Sequence, residues 1–172
     1  MFDATSPARI SAVLALTWGS ATMAAPPVSQ TRTFHLAAPP ERLMPLFTAA
    51  GERAWAKGWD PQILSGDTAR GSVFRTSAHG HETTWIVIDY RPQAGRASYA
   101  RIVRDLNMGI VDVTCARTKD GSDITVTYTL TPLSSEAAAS VASMLEAEHF
   151  DAMIDEWRTS IAAVIAAQRM PR

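Results

Sequence analysis

From residue 31 onward the chain alternates. Phe34 and Leu36 fall on one side of an extended segment, Thr33 and His35 on the other, so residues 31–36 predict a strand. Pro39 and Pro40 end it and suit the first turn of a helix, where a missing amide hydrogen costs nothing. Leu43, Leu46 and Phe47 then recur at three and four as one apolar stripe, and Pro45 inside that stripe predicts a kink or a helix confined to its first turns. Gly51 breaks it. A second short helix is expected over residues 52–56, closed by Gly58.

Beyond Pro61 the pattern is that of strands. They are predicted over residues 72–78, 83–90, 97–104 and 110–117, with turns at Gly80, at Pro92 and Gly95, at 105–109 and at Lys119-Asp120-Gly121. In the 83–90 strand Trp85 shares a face with Val87, but Ile86 and Ile88 also read as buried, so either face can point inward. Next, Ile124, Val126, Tyr128 and Leu130 alternate with Thr125, Thr127, Thr129 and Thr131, giving one apolar face and one hydroxyl face. Ser134 is a helix cap. The helix it opens is predicted to run to about Gln168, with Phe150, Met153, Ile154, Trp157, Ile161, Val164 and Ile165 on one stripe. Met153 and Trp157 read as plain core.

The order is strand, two short helices, antiparallel meander, long helix. It predicts an α+β fold in which a curved antiparallel sheet wraps around the C-terminal helix. A helix is only about 10 Å across, so a broad twisted sheet cannot follow it everywhere, and a cavity is expected between the two.

Several stretches carry a resemblance. They are Ala38-Pro39-Pro40-Glu41-Arg42, Leu46-Phe47, the run from Gly51 to Pro61, Thr83-Thr84-Trp85-Ile86-Val87, Glu148-His149-Phe150 and Met153-Ile154-Asp155-Glu156-Trp157. Together they resemble the helix-grip (SRPBCC, START-like, Bet v 1-like) superfamily, and within it the small bacterial SRPBCC proteins. That superfamily includes START domains, the major birch pollen allergen, polyketide cyclases and Hsp90-activator-like proteins. The resemblance spans residues 31–166 and implies a hydrophobic cavity for lipids, polyketides or other apolar molecules. Its motifs describe packing rather than catalysis.

Composition narrows the field. At 172 residues the chain has the size of one domain, and 47% hydrophobic against 19% charged residues allows a full core. Sixteen basic and seventeen acidic residues leave a net charge of -1, which argues against a nucleic-acid-coating surface. The single cysteine, Cys115, excludes an internal disulfide and a Cys-rich zinc site. No apolar run approaches the ~18 residues of a membrane span.

Residues 1–28 are set apart as an N-terminal extension or signal-like segment, 29–168 as the helix-grip domain and 169–172 as a tail. A short apolar stretch from Ile10 to Trp18, then small residues and Pro26-Pro27, is similar to a secretory signal cut after Ala24. The reading placed ahead of it is that Met23 is the true start, with residues 1–22 an upstream extension. That reading implies a cytoplasmic protein, and the signal, as the alternative, a periplasmic or secreted one.

Candidate chemistry is sparse. His79-Gly80-His81 reads as exposed turn histidines rather than a metal site, and neither metal nor cofactor is expected. Stepping 100° per residue back from Phe150 places Ser143 and Glu146 near the inner side of the long helix, with His149 at the rim, so these line a cavity or stand in water beyond the sheet edge. Tyr128 points inward, and its hydroxyl needs a partner from ligand or protein. Arg101 either reaches a ligand carboxylate or is a solvated strand arginine. Trp55 and Trp59 wall one end of the cavity or pack under the short helices, and Trp85 is a further pocket candidate. Three functions follow. The first is a binding module for an apolar or amphipathic small molecule. The second is a cyclase or dehydratase using Glu146, His149 or Tyr128 as acid–base groups. The third is an Hsp90-activator-like interaction domain. The binding module is the leading expectation, ahead of an enzyme.

Overall fold

The computed structural model describes residues 25–78 and 80–168. The signal-like segment up to residue 24 with its alternative start, His79 and the tail 169–172 lie outside the described residues. Strand β1 (Val28–Leu36) leads into a single α-turn, α1 (Pro40–Leu43), and two 3-10 turns, Met44–Phe47 and Gly51–Ala54. Pro45 acts as expected: the α-helical turn ends before it and the chain tightens.

Strands β2 (Gln62–Ser65), β3 (Val73–Ala78), β4 (His81–Arg91), β5 (Arg96–Val103), β6 (Asn107–Arg117) and β7 (Ser122–Pro132) follow. With β1 they form one seven-stranded sheet, ordered β1-β7-β6-β5-β4-β3-β2. Every neighbouring pair is antiparallel. The alternation in β7 holds along its whole length: Ser122, Ile124, Val126, Tyr128, Leu130 and Pro132 are buried. On its other face Thr125 and Thr127 share hydrogen bonds with Thr33 and Thr31, both 2.8 Å. In β4 the open question resolves in favour of Trp85 and Val87, which are buried while Ile86 is 44% exposed. A register shift between Val87 and Asp89 ends this phase.

The C-terminal part corrects one expectation. Instead of a single helix from Ser134 to Gln168 there are two, α2 (Ser135–Met144) and α3 (Ala147–Ala167). Ser134 caps α2 by accepting from the Ala137 amide. Leu145 turns into the core, 2% exposed, and Glu146 is extended (φ -60°, ψ 138°) in the N-cap position of α3. Phe150, Ile154, Ile161 and Ile165 form the buried stripe of α3. Its opposite shoulder is tied to β1 by Arg32, whose guanidinium pairs with Asp151 at 3.1 Å and Asp155 at 2.9 Å.

Gly51 is the tightest joint in the segment between β1 and β2. A Cβ there would fall on the Pro45 carbonyl oxygen and crowd the Leu46 backbone, neither of which is a flexible side chain. Gly51→Ala is therefore expected to cost about 1–2 kcal/mol in urea unfolding, in the lower part of the overpacking range. An unchanged midpoint would show that the two 3-10 turns slide freely.

Candidate functional site

The sheet, the segment between Ala49 and Trp59, and α3 border a cavity of about 280 Å³ that opens to solvent. Its floor is a row across three strands, in which Tyr99 of β5 faces Val111 of β6 and Val111 faces Tyr128 of β7. Phe74 and Trp85 form one wall, stacked 5.8 Å apart with their planes 5° off parallel. Trp59 meets Trp85 edge-on at 5.9 Å, and Trp55 meets Trp157 of α3 at 5.1 Å. Such pairs hold one another in place as well as burying area. Trp157, read from sequence as plain core, is half-buried and lines the cavity. Lys57, Ser77 and Ala78 are exposed and mark its mouth.

Most wall residues have spent their polar groups on the protein. The Trp55 indole donates to the Leu46 carbonyl at 2.7 Å, Trp59 to Ala49 at 2.9 Å and Trp85 to the Thr76 hydroxyl at 3.0 Å. The Tyr99 hydroxyl donates to the Phe47 carbonyl at 2.6 Å. These side chains therefore present only ring faces to the cavity.

Three inner groups are different. Among the described residues, the Glu52 carboxyl, the Tyr128 hydroxyl and the Arg101 guanidinium have no hydrogen-bond or ion-pair partner, and all three line the cavity. Burial pushes the Glu52 carboxyl up to about 8, so it holds its proton at pH 7. Burial raises the Tyr128 phenol to about 12. It also lowers Arg101, because a guanidinium out of water loses hydration, while the nearby Tyr128 acts the other way. Arg101 Nε is fully buried and unbonded. The guanidinium lies 5.2 Å from the centre of the Trp85 ring, a cation–π contact and not an ion pair.

The structure thus brings Tyr128, Trp85, Trp55, Trp59 and Arg101 together around one space. It does not bring Ser143, Glu146 or His149 there: all three are exposed and none lines the cavity. For Ser143 and Glu146 the reason is the break at Leu145; His149 lies within α3 itself and faces solvent. Counting 100° per residue assumes one continuous helix, and the interruption cancels the phase relation between Phe150 and residues on its N-terminal side. His81, at the start of β4, is exposed as a turn residue would be. Glu52 and Lys57 were not singled out from sequence. Glu52 sits in a four-residue 3-10 turn, too short for a periodicity that would tell inside from outside.

A family profile described as polyketide cyclase / dehydrase and lipid transport matches residues 27–159. The chain belongs to this family. Solved structures share the fold at low identity. Norcoclaurine synthase from Thalictrum flavum is 13% identical with a TM-score of 0.62, over 91% of this chain and 98% of its own. Ara h 8.0201 is 12% identical with a TM-score of 0.64, over 81% and 99%. A protein from Rhodobacter sphaeroides is 21% identical with a TM-score of 0.63, over 82% and 93%. No curated protein sequence matches the chain. The architecture is the helix-grip fold of the SRPBCC superfamily, a fold that binds hydrophobic ligands, as the sequence resemblance implied. No helix among the described residues is long and apolar enough to cross a membrane.

Proposed function

We propose that this member of the polyketide cyclase / dehydrase and lipid-transport family binds one small hydrophobic or amphipathic molecule inside the sheet. The carrying observation is the cavity itself: about 280 Å³, walled by aromatic rings whose own polar groups are mostly satisfied by the protein. Known ligand cavities run from roughly 300 to 1,000 Å³, so the space suits a compact ring compound better than a long acyl chain. The rings are held by mutual contacts and by bonds to the 44–49 backbone, so little ordering cost remains for the ligand to offset.

Four tryptophans line the cavity, and titration with 2-naphthol should quench their fluorescence saturably at one molecule per chain. Two substitutions test the location. Val111→Phe fills the floor and Ala56→Phe narrows the entrance. Each is expected to weaken 2-naphthol binding at least tenfold while leaving the circular dichroism of the fold intact. Binding that survives both would place the site elsewhere, and no saturable binding at all would overturn the reading.

A second reading is favoured by one observation. Glu52 and Tyr128 are titratable, unpartnered and share the cavity with Arg101. A proton donor beside a fixed cation is a pairing that cyclases and dehydratases can use. In this reading Glu52 and Tyr128 are the acid–base groups, and neither Glu146 nor His149 takes part.

A further inference from the structure

Arg101 poses the sharpest problem in the molecule. It sits on the inner face of β5, opposite Trp85 of β4 and Gly109 of β6. Its guanidinium is a permanent charge, and one of its nitrogens is sealed from solvent without an acceptor. No carboxylate among the described residues pairs with it. The ring contact with Trp85 offsets only part of the lost hydration. A solvated surface arginine meets none of these conditions.

The charges around it do not compensate. Lys57, at the mouth, has no partner among the described residues either. The one carboxyl in the lining is Glu52, whose burial keeps it protonated at neutral pH. The lining therefore carries two cations against a single carboxyl, and the cations outnumber it in either protonation state of Glu52. The Tyr128 hydroxyl feels the charges of both Arg101 and Glu52, and all three groups line the same cavity. Two of them, the phenol and the protonated acid, are hydrogen-bond donors, and the third is a fork of donors with nothing to donate to.

We propose that the ligand is a planar aromatic anion, its ring between the Trp85, Trp55 and Trp157 side chains and its carboxylate on Arg101 and Tyr128. This rests on the cavity-binding reading above and adds the charge and shape of the guest. The carboxylate supplies the missing acceptor for the guanidinium and receives the Tyr128 hydroxyl. Charge-assisted bonds of this kind are short and strong, and arginine matches a carboxylate bidentately. The protonated Glu52 adds a donor without adding repulsion. Lys57 draws the anion toward the mouth and does not need to touch it once bound.

Three probes of nearly one shape separate the terms: 2-naphthoate, its neutral amide 2-naphthamide, and the cationic 2-naphthylmethylamine. Each is titrated at pH 7 with tryptophan fluorescence as the readout. The naphthoate is expected to bind at least tenfold tighter than the amide and the amine to bind weakest. Arg101→Gln should remove the preference for naphthoate over the amide, and Arg101→Lys should restore part of it. Equal affinities for naphthoate and amide in the native protein would overturn the proposal and leave small-molecule binding standing. A preference that persists in Arg101→Gln would overturn it as well. If none of the three probes nor 2-naphthol binds, the cavity reading itself falls and takes this one with it. The native protein alone decides the matter should Arg101→Gln fail to fold.

Discussion

Phe150→Ala is expected to lower the unfolding free energy by about 3–5 kcal/mol, the range for removing a large aromatic side chain from a close-packed site. Phe150 is the first buried residue of α3 and is 1% exposed. Its ring meets Tyr128 edge-on at 5.8 Å, and Tyr128 in turn meets Trp157 at 6.4 Å. The loss has two parts: the apolar area returned to water on unfolding, and a void beside Tyr128 that a rigid sheet cannot close. The void adjoins Tyr128, which lines the cavity. The variant should therefore be less stable in urea and also accept bulkier ring compounds than the native protein. A cost below about 1 kcal/mol would mean that α3 is seated less firmly than its burial implies.

Glu52→Gln is expected to stabilise the protein, increasingly as pH rises above about 4.5. In the fold the carboxyl holds its proton up to about pH 8, whereas an ordinary glutamate releases it near 4.5. Between those values the unfolded chain has given up the proton and the folded chain has kept it. The unfolded state then binds fewer protons, so stability falls as pH rises. Below 4.5 both states are protonated and nothing is lost; above 8 both are ionised and the loss has reached its limit. Glutamine has no proton to lose. Its advantage should thus be near zero at pH 4, grow through pH 5–8 and level off beyond. The full shift at about 1.4 kcal/mol per unit is an upper bound, and water entering the cavity mouth reduces it to roughly 3 kcal/mol. Urea unfolding of both proteins at pH 4, 6 and 9 measures it. Parallel curves would mean that the carboxyl is solvated in the fold.

Both substitutions bear on what was readable in advance. Phe150 and Tyr128 were placed correctly on the inside because each belongs to a long periodic element, where many residues report one phase. The same count failed for Ser143 and Glu146, which are exposed. The helix break depends on Leu145 finding a place in the core, a tertiary event with no local mark such as glycine or proline. Trp85 could not be assigned a face because its neighbours Ile86 and Ile88 are apolar too. The outward position of Ile86 reflects an exposed apolar face on the far side of the sheet, which also carries Ile102, Met108 and Ile110. Glu52 was invisible for a further reason. A carboxylate in a short turn is usually in water, and only three-dimensional closure by the aromatic side chains makes it otherwise.

The bonds from Trp55, Tyr99 and Trp59 all end on one short stretch of main chain, at Leu46, Phe47 and Ala49. That stretch is consequently stitched to three separate anchors, and it cannot fray one amide at a time. If it ever lifts to admit a guest, it must do so as a single flap, with every stitch undone in the same event. Its amide protons should then trade with deuterated solvent in unison, at one common rate, and that rate should drop together once the space beneath is occupied.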